Sequence, residues 1–285
     1  MPPRATSSLA GTRTIEVLPG SMAKWRSRCG ARAAVPPSYA RASIPMTRMR
    51  LAAILFEQGF GTRRECDALV AGGAVCVAGR AVDDPDAHFD TAGGLVVSVR
   101  GEDWPVHAKA LVVLNKPAGY ECSQRPAHHP SVLNLLPPPL RRRGVQPVGR
   151  LDADTTGLLL LTDDGALIHR LTSPKRHVPK VYEIATAEPV SQAQIDALLR
   201  GVVLRDDPVP VRAAACEQTG ERALRMTLLA GKYHQVKRML AAAGNSVVGL
   251  HRSRFGALAL PADLAPGQWR WLDGANDVLG SGAQA

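Results

Sequence analysis

Four consecutive leucines, Leu158-Leu-Leu-Leu161, constrain this chain more than any other feature. They lie between Asp152-Ala-Asp-Thr-Thr-Gly157 and Thr162-Asp-Asp-Gly165. So short an apolar run between polar turns reads as a buried strand. Asp152 then sits on the loop feeding that strand, where rigid scaffold holds the acid while its head points into open space. Asp152 is therefore the candidate nucleophile. A lone Asp before a strand is more often an Asx-turn or a solvated loop acid, so the surrounding residues have to decide.

Three ordered stretches do so: Leu114-Asn-Lys-Pro117-Ala-Gly119, then Gly149-Arg-Leu-Asp-Ala-Asp-Thr-Thr-Gly157-Leu-Leu-Leu-Leu-Thr-Asp-Asp-Gly165, then Gly231-Lys-Tyr-His-Gln235-Val-Lys237-Arg-Met239. Together they resemble the RNA pseudouridine synthases that modify single uridines of bacterial ribosomal RNA, and the likeness runs from about Met49 to Leu272. The resemblance implies Asp152 as the catalytic acid and Tyr182, in Lys180-Val-Tyr182, as an aromatic platform for the uracil. It also implies Lys237 as the cation that keeps Asp152 ionised and Arg150 as a contact to the flipped nucleotide. His234 and Arg238 are candidate RNA contacts beside it.

The chemistry is consistent with so short a set of parts. Making pseudouridine breaks the N1–C1′ bond, turns the uracil and rejoins it through C5, with no net redox change and nothing hydrolysed. No cofactor is required: no nicotinamide, metal or phosphate donor. The base must first be flipped into a pocket and held on an aromatic face. In a site closed to water, desolvation would raise the pKa of the acid unless a cation stood near. Attack on the sugar carbon, attack on the base and assisted elimination at the ribose all need Asp152 charged and close.

Charge agrees. The 285 residues carry a formal +10 and a pI near 9.8, which favours a polyanionic partner. The charge is uneven. Residues 1–47 hold seven Lys or Arg against Glu16, leaving an excess of about +4 on the rest. By composition that stretch could pass for an organellar transit peptide. The preferred reading is a disordered basic extension, or a start codon assigned too far upstream of Met49, because it offers too little patterned apolar surface to fold. Five cysteines at irregular spacing form no C-x-x-C pair, which supports neither a zinc ribbon nor a disulfide framework and suits the cytoplasm. No apolar run approaches the roughly 20 residues of a membrane helix.

Residues 48–100 read as a small α/β module. A helix over 51–56 ends at Gly59-Phe-Gly61. Thr62 and Glu65 have capping-box spacing for a second helix, which Gly72-Gly73 stops. Strands follow at 75–77 and 81–82. The order resembles the RNA-gripping domain named after ribosomal small-subunit protein four, the S-four type. By that resemblance Arg50, Arg63, Arg64 and Arg80 are phosphate contacts, although surface charges of this kind are more often merely solvated. Ala52 stands where the family usually has Asp.

Polar residues 101–109 read as a linker, residues 110–273 as the synthase domain and 274–285 as a flexible tail. Within the synthase domain, strands are expected at 110–115, 157–162, 180–184, 223–229 and 246–250, and helices at 166–171, at 192–200 behind the cap Ser191, and at 233–243. Asp163-Asp164-Gly165 reads as a turn needing no catalytic role, and Arg141-Arg142-Arg143 as a basic loop. The fold class is thus α+β, an S-four-like domain followed by a domain with a large mixed, mostly antiparallel sheet.

Two rivals fit less well. A glycosidase-like hydrolase needs two carboxylates about 5–9 Å apart, and Asp152 and Asp154 are expected to diverge. A non-catalytic ribosome-assembly factor would keep the basic surfaces but has no use for Asp152, Tyr182 and Lys237 together. His128-His129 lacks partner ligands for a metal. Relatives acting on 23S rRNA tend to read Asn-Arg-Gln-Val-Arg-Arg-Met where this chain has Tyr233-His-Gln-Val-Lys237-Arg-Met239. The expectation is therefore a monomer acting on 16S rRNA in a partly assembled small subunit, with a 23S enzyme of the same family as the alternative.

Overall fold

A computed structural model describes residues 48–205 and 207–280. The extension expected over 1–47 lies outside the described residues.

The first unit opens with β1 (Arg48–Arg50) and α1 (Leu51–Glu57), then α2 (Arg63–Ala71). Thr62 and Glu65 form the reciprocal capping box, and Gly72 closes α2. There follow β2 (Val75–Val77), β3 (Arg80–Val82), β4 (His88–Asp90), β5 (Val96–Val99) and β6 (Glu102–Pro105). Strands β3-β2-β5-β6 make one sheet, and β4 pairs with β1.

Strand β6 corrects the reading of 101–109 as a linker. Its polar letters conceal an antiparallel partner of β5 whose Trp104 is buried. Trp104 meets Phe60 edge-on at 5.2 Å and Trp271 of the second unit at 5.3 Å, while the His107 ring stacks on Trp271 at 4.6 Å. Arg143, expected in a basic loop, is buried at this junction. It donates to Gln58 Oε1 at 2.7 Å and to the His107 carbonyl at 2.9 Å, and pairs with Asp163. A charge this deep is tolerated because hydrogen bonds and a carboxylate surround it. One continuous core therefore joins the two units.

The second unit contains β7 (Leu111–Lys116), α3 (Pro138–Arg142), β8 (Gln146–Pro147), β9 (Thr156–Thr162), α4 (Gly165–Thr172), β10 (Lys180–Thr186), α5 (Gln192–Arg200), β11 (Val202–Leu204), β12 (Asp207–Val211), β13 (Ala215–Gly220), β14 (Ala223–Leu228), α6 (Gln235–Ala242), β15 (Val247–Phe255), β16 (Leu258–Ala259), β17 (Trp269–Trp271) and α7 (Ala275–Leu279). A nine-stranded sheet runs β13-β14-β10-β15-β9-β7-β17, with β16 on β15 and β8 on β9. Of its pairings only β15–β9 is parallel, so the sheet is mixed and mostly antiparallel as expected.

The leucine run is apolar throughout because β9 is covered on both faces. Leu159 and Leu161 join the core shared with the first unit. Leu158 and Leu160 join a second core containing Leu171, Phe255 and Val278. Val278 belongs to α7, so part of the expected flexible tail is packed: the Ala257 amide donates to the Val278 carbonyl at 2.7 Å.

Candidate active site

The Asp152 loop is held from below through its carbonyls. Lys116, at the end of β7, is 0% exposed. Its ammonium donates to the carbonyls of Pro117 at 3.0 Å, Ala153 at 3.1 Å and Thr155 at 2.9 Å. The Gly119 amide also donates to the Ala153 carbonyl at 2.8 Å, and the Thr155 amide returns to the Asp152 carbonyl at 3.1 Å. The Leu151 amide reaches Cys122 Sγ at 3.4 Å. Gly157 lets the loop enter the sheet: its φ is +101°, and a Cβ there would lie 2.4 Å from the Arg252 carbonyl oxygen. Any other residue would push β9 off β15.

With its backbone fastened, Asp152 presents a half-buried carboxylate to the start of α6. His234 Nε2 stands 3.3 Å from Oδ1 and Lys237 Nζ 3.5 Å from Oδ2. Lys237 also grips Asp154 at 2.8 and 2.7 Å. Asp152 and Asp154 thus converge on one ammonium instead of diverging. Burial pulls the Lys237 pKa down, but the bond to Asp154 and the charges of both carboxylates outweigh it and hold it above its ordinary value. The bond from Lys237 keeps the Asp154 carboxyl below its usual range. An acid so depressed is a poor proton donor at neutral pH, which argues against a glycosidase-like pair.

Tyr182 lies on β10, two strands from β9 in the sheet. It pairs with Arg252 on β15, which pairs with Gly157 on β9. At about 4.8 Å per strand, its backbone stands two strands from the residue that ends the Asp152 loop. Tyr182 is 8% exposed and joins the core. Beside it, Arg252 is 2% exposed, donates from Nε to the Leu158 carbonyl at 2.8 Å and lies over the Phe255 ring. Lys180 lies over the same ring.

Burial, followed by the neighbouring Arg252 charge, pushes the Lys180 ammonium down to about 8. The unfolded chain would hold that proton to about 10.5, so between pH 8 and 10.5 the unfolded state binds more protons. Folding stability should therefore rise with pH across that window through this group. Melting curves at pH 7.5 and 9.5 are expected to show that rise in the wild type and its loss in Lys180→Met; an identical slope in both would contradict it.

The remaining sequence candidates are spread more widely. Arg150 is exposed at the head of the Asp152 loop, and Arg238 donates to the Tyr233 carbonyl at 3.0 Å. In the first unit Arg63, Arg64 and Arg80 are exposed. Arg63 lies over the Phe56 ring at 5.2 Å, while Arg50 is engaged by Asp67 and Asp86. His128 and His129 donate their backbone amides to Glu121. Among the described residues no cluster of His, Cys, Asp or Glu could hold a metal ion, and no helix is long and apolar enough to cross a membrane. Sequence reasoning missed the buried Lys116 anchor, the Asp154–Lys237 bond and the buried Arg252. Lys116 carried the one legible signal, a charged residue closing a strand otherwise almost entirely apolar.

Comparison with known proteins adds independent support. The family model described as RNA pseudouridylate synthase matches residues 110–242, and the S4 domain model matches residues 49–91. The chain is 39% identical over 227 residues to the RNA pseudouridine synthase YtzG of Bacillus subtilis, covering 79% of this chain and 95% of that protein. To the ribosomal small subunit pseudouridine synthase A of Escherichia coli it is 45% identical over 166 residues, 58% of this chain and 71% of the relative. A solved structure of a pseudouridylate synthase superposes with a TM-score of 0.55 at 35% identity, covering 79% of this chain and 96% of that one. The chain belongs to the RNA pseudouridylate synthase family and joins an S4 domain to a synthase domain.

Proposed function

We propose that this protein converts one uridine of 16S ribosomal RNA to pseudouridine, with Asp152 as the nucleophile and no cofactor. The observation that carries the reading is the Asp152 carboxylate, fixed on a carbonyl-anchored loop and faced by His234 and Lys237. Lys237, in the first turn of α6, stands 3.5 Å from that carboxylate. In the reaction the N1–C1′ bond breaks and a C5–C1′ bond forms. The C5 proton leaves, N1 gains one, and atoms and electrons balance without an external reagent.

The substrate assignment rests on two supports. Relatives of Escherichia coli and Pasteurella multocida, 45% and 39% identical, carry the name ribosomal small subunit pseudouridine synthase A. The stretch Tyr233-His-Gln-Val-Lys237 also departs from the Arg-ending pattern of large-subunit enzymes. Lys is a point charge where Arg is a planar fork, so the exchange alters the geometry of the pair with the acid. Arg150, His234 and Arg238 contact RNA around the flipped nucleotide, and Arg63, Arg64 and Arg80 supply phosphate contacts. Arg50 joins them once RNA competes with Asp67 and Asp86. The reading places the substrate in a partly assembled small subunit, where the base is still reachable.

Purified protein incubated with 16S transcripts, small-subunit particles and 23S fragments tests the branch. Pseudouridine in the 16S samples is expected; modification of 23S RNA alone would overturn the branch and leave the enzyme class standing. Tyr182→Phe should retain most turnover because the ring remains, whereas Tyr182→Ala should lose about a hundredfold or more. Equal rates for the two variants would show that stacking is not the role of Tyr182.

A further inference from the structure

Tyr233 is 68% exposed at the edge of the site. It stacks on His234 with ring centroids 3.8 Å apart and planes at 20°, and His234 Nε2 faces Asp152. The segment is fastened around that pair. The Lys232 amide donates to Gln235 Oε1 at 2.8 Å, the Lys232 ammonium pairs with Asp207, and Arg238 holds the Tyr233 carbonyl. His234 itself sits at φ +45°, a left-handed conformation disfavoured for a side-chain-bearing residue and maintained only where surrounding structure enforces it. A fixed, strained backbone that holds a large ring in water, with one imidazole between it and the Asp152 carboxylate, calls for a partner.

We propose that Tyr233, backed by His234, is the platform on which the base flanking the target uridine stacks. The inference rests on the reading of the chain as a ribosomal RNA pseudouridine synthase and extends it to the neighbouring nucleotide. Flipping the uridine strips its neighbour of a stacking partner. With the uridine sugar at Asp152, the edge of the imidazole faces the carboxylate and its face carries the Tyr233 ring, which meets the next base along the strand. Every base has a π-face, so the ligand is single-stranded RNA of tolerant sequence. Tyr233 is here a positioning residue and takes no part in bond making.

Tritium release from RNA labelled at uridine C5 tests this with wild type, Tyr233→Phe, Tyr233→Trp and Tyr233→Ala, on whichever ribosomal RNA the wild type modifies. Tyr233→Ala is expected to lose about five- to a hundredfold in kcat/KM, mainly through KM, with an unchanged melting temperature. The Phe and Trp variants should stay within about threefold of wild type. The salt dependence of binding should keep its slope, since no phosphate contact is removed. Wild-type kinetics in Tyr233→Ala, Tyr233→Phe as impaired as Tyr233→Ala, or a flattened salt slope would each overturn the platform. A wild type inactive on every ribosomal RNA would instead overturn the functional reading on which the platform depends.

Discussion

Asp152→Asn should yield a folded protein that still binds RNA and turns over about a thousandfold slower or worse. The amide keeps the shape of the side chain and loses the charge and nucleophilicity. The loop would survive the change because its anchors are main-chain groups: Lys116 and Gly119 bind the Ala153 carbonyl, and Thr155 closes on the Asp152 carbonyl. Circular dichroism and RNA binding should therefore match wild type while single-turnover pseudouridine formation collapses. A mutant within about tenfold of the wild-type rate would remove Asp152 from its assigned role.

The second large effect is expected at Lys116→Met. The side chain is buried and its ammonium serves three carbonyls, two of them within the three residues that follow Asp152. Methionine fills similar space and donates nothing, so the Ala153 and Thr155 carbonyls lose a charged donor. Hydrogen bonds to charged groups contribute about 1.5–3 kcal/mol each, and relief of the buried charge offsets part of that loss, leaving a net cost of about 2–4 kcal/mol. Burial already pushes the Lys116 pKa down, which is the direction that makes such an offset real. Denaturant unfolding should show the drop, and turnover should fall further than stability because the freed loop no longer aims Asp152. A variant with wild-type stability and activity would show that Lys116 does not hold the loop.

Features encoded within a few residues were the legible ones. The Thr62–Glu65 box and the Ser191 cap, which Gln194 completes, appear as spelled, because capping is a local competition for free amides. The leucine run marked a buried strand for an equally local reason. Contacts between distant segments were invisible. Lys237 reaches Asp154 across 83 positions, and nothing in either stretch announces that one ammonium serves two acids. Tyr233 and His234 continue the helical pattern in sequence, yet α6 begins only at Gln235 because His234 turns left-handed. A polar stretch hid β6, whose worth lies in Trp104 packing on Phe60 and Trp271. Arg143 reads as surface charge until Gln58, His107 and Asp163 close around it. Removing the first unit would expose that apolar junction, so the contribution of Arg63 and Arg64 to RNA binding is better read by substituting them in the full chain.

The central claim is that Asp152 of this chain makes pseudouridine in 16S ribosomal RNA. Pseudouridine mapping at nucleotide resolution, on ribosomal RNA from cells lacking the gene and complemented with wild type or Asp152→Asn, tests it most directly. The account predicts one 16S position that is uridine in the deletion strain, pseudouridine with the wild-type gene, and uridine again with Asp152→Asn at equal protein level. An unchanged pseudouridine map in the deletion strain, or restoration of the mark by Asp152→Asn, would contradict it.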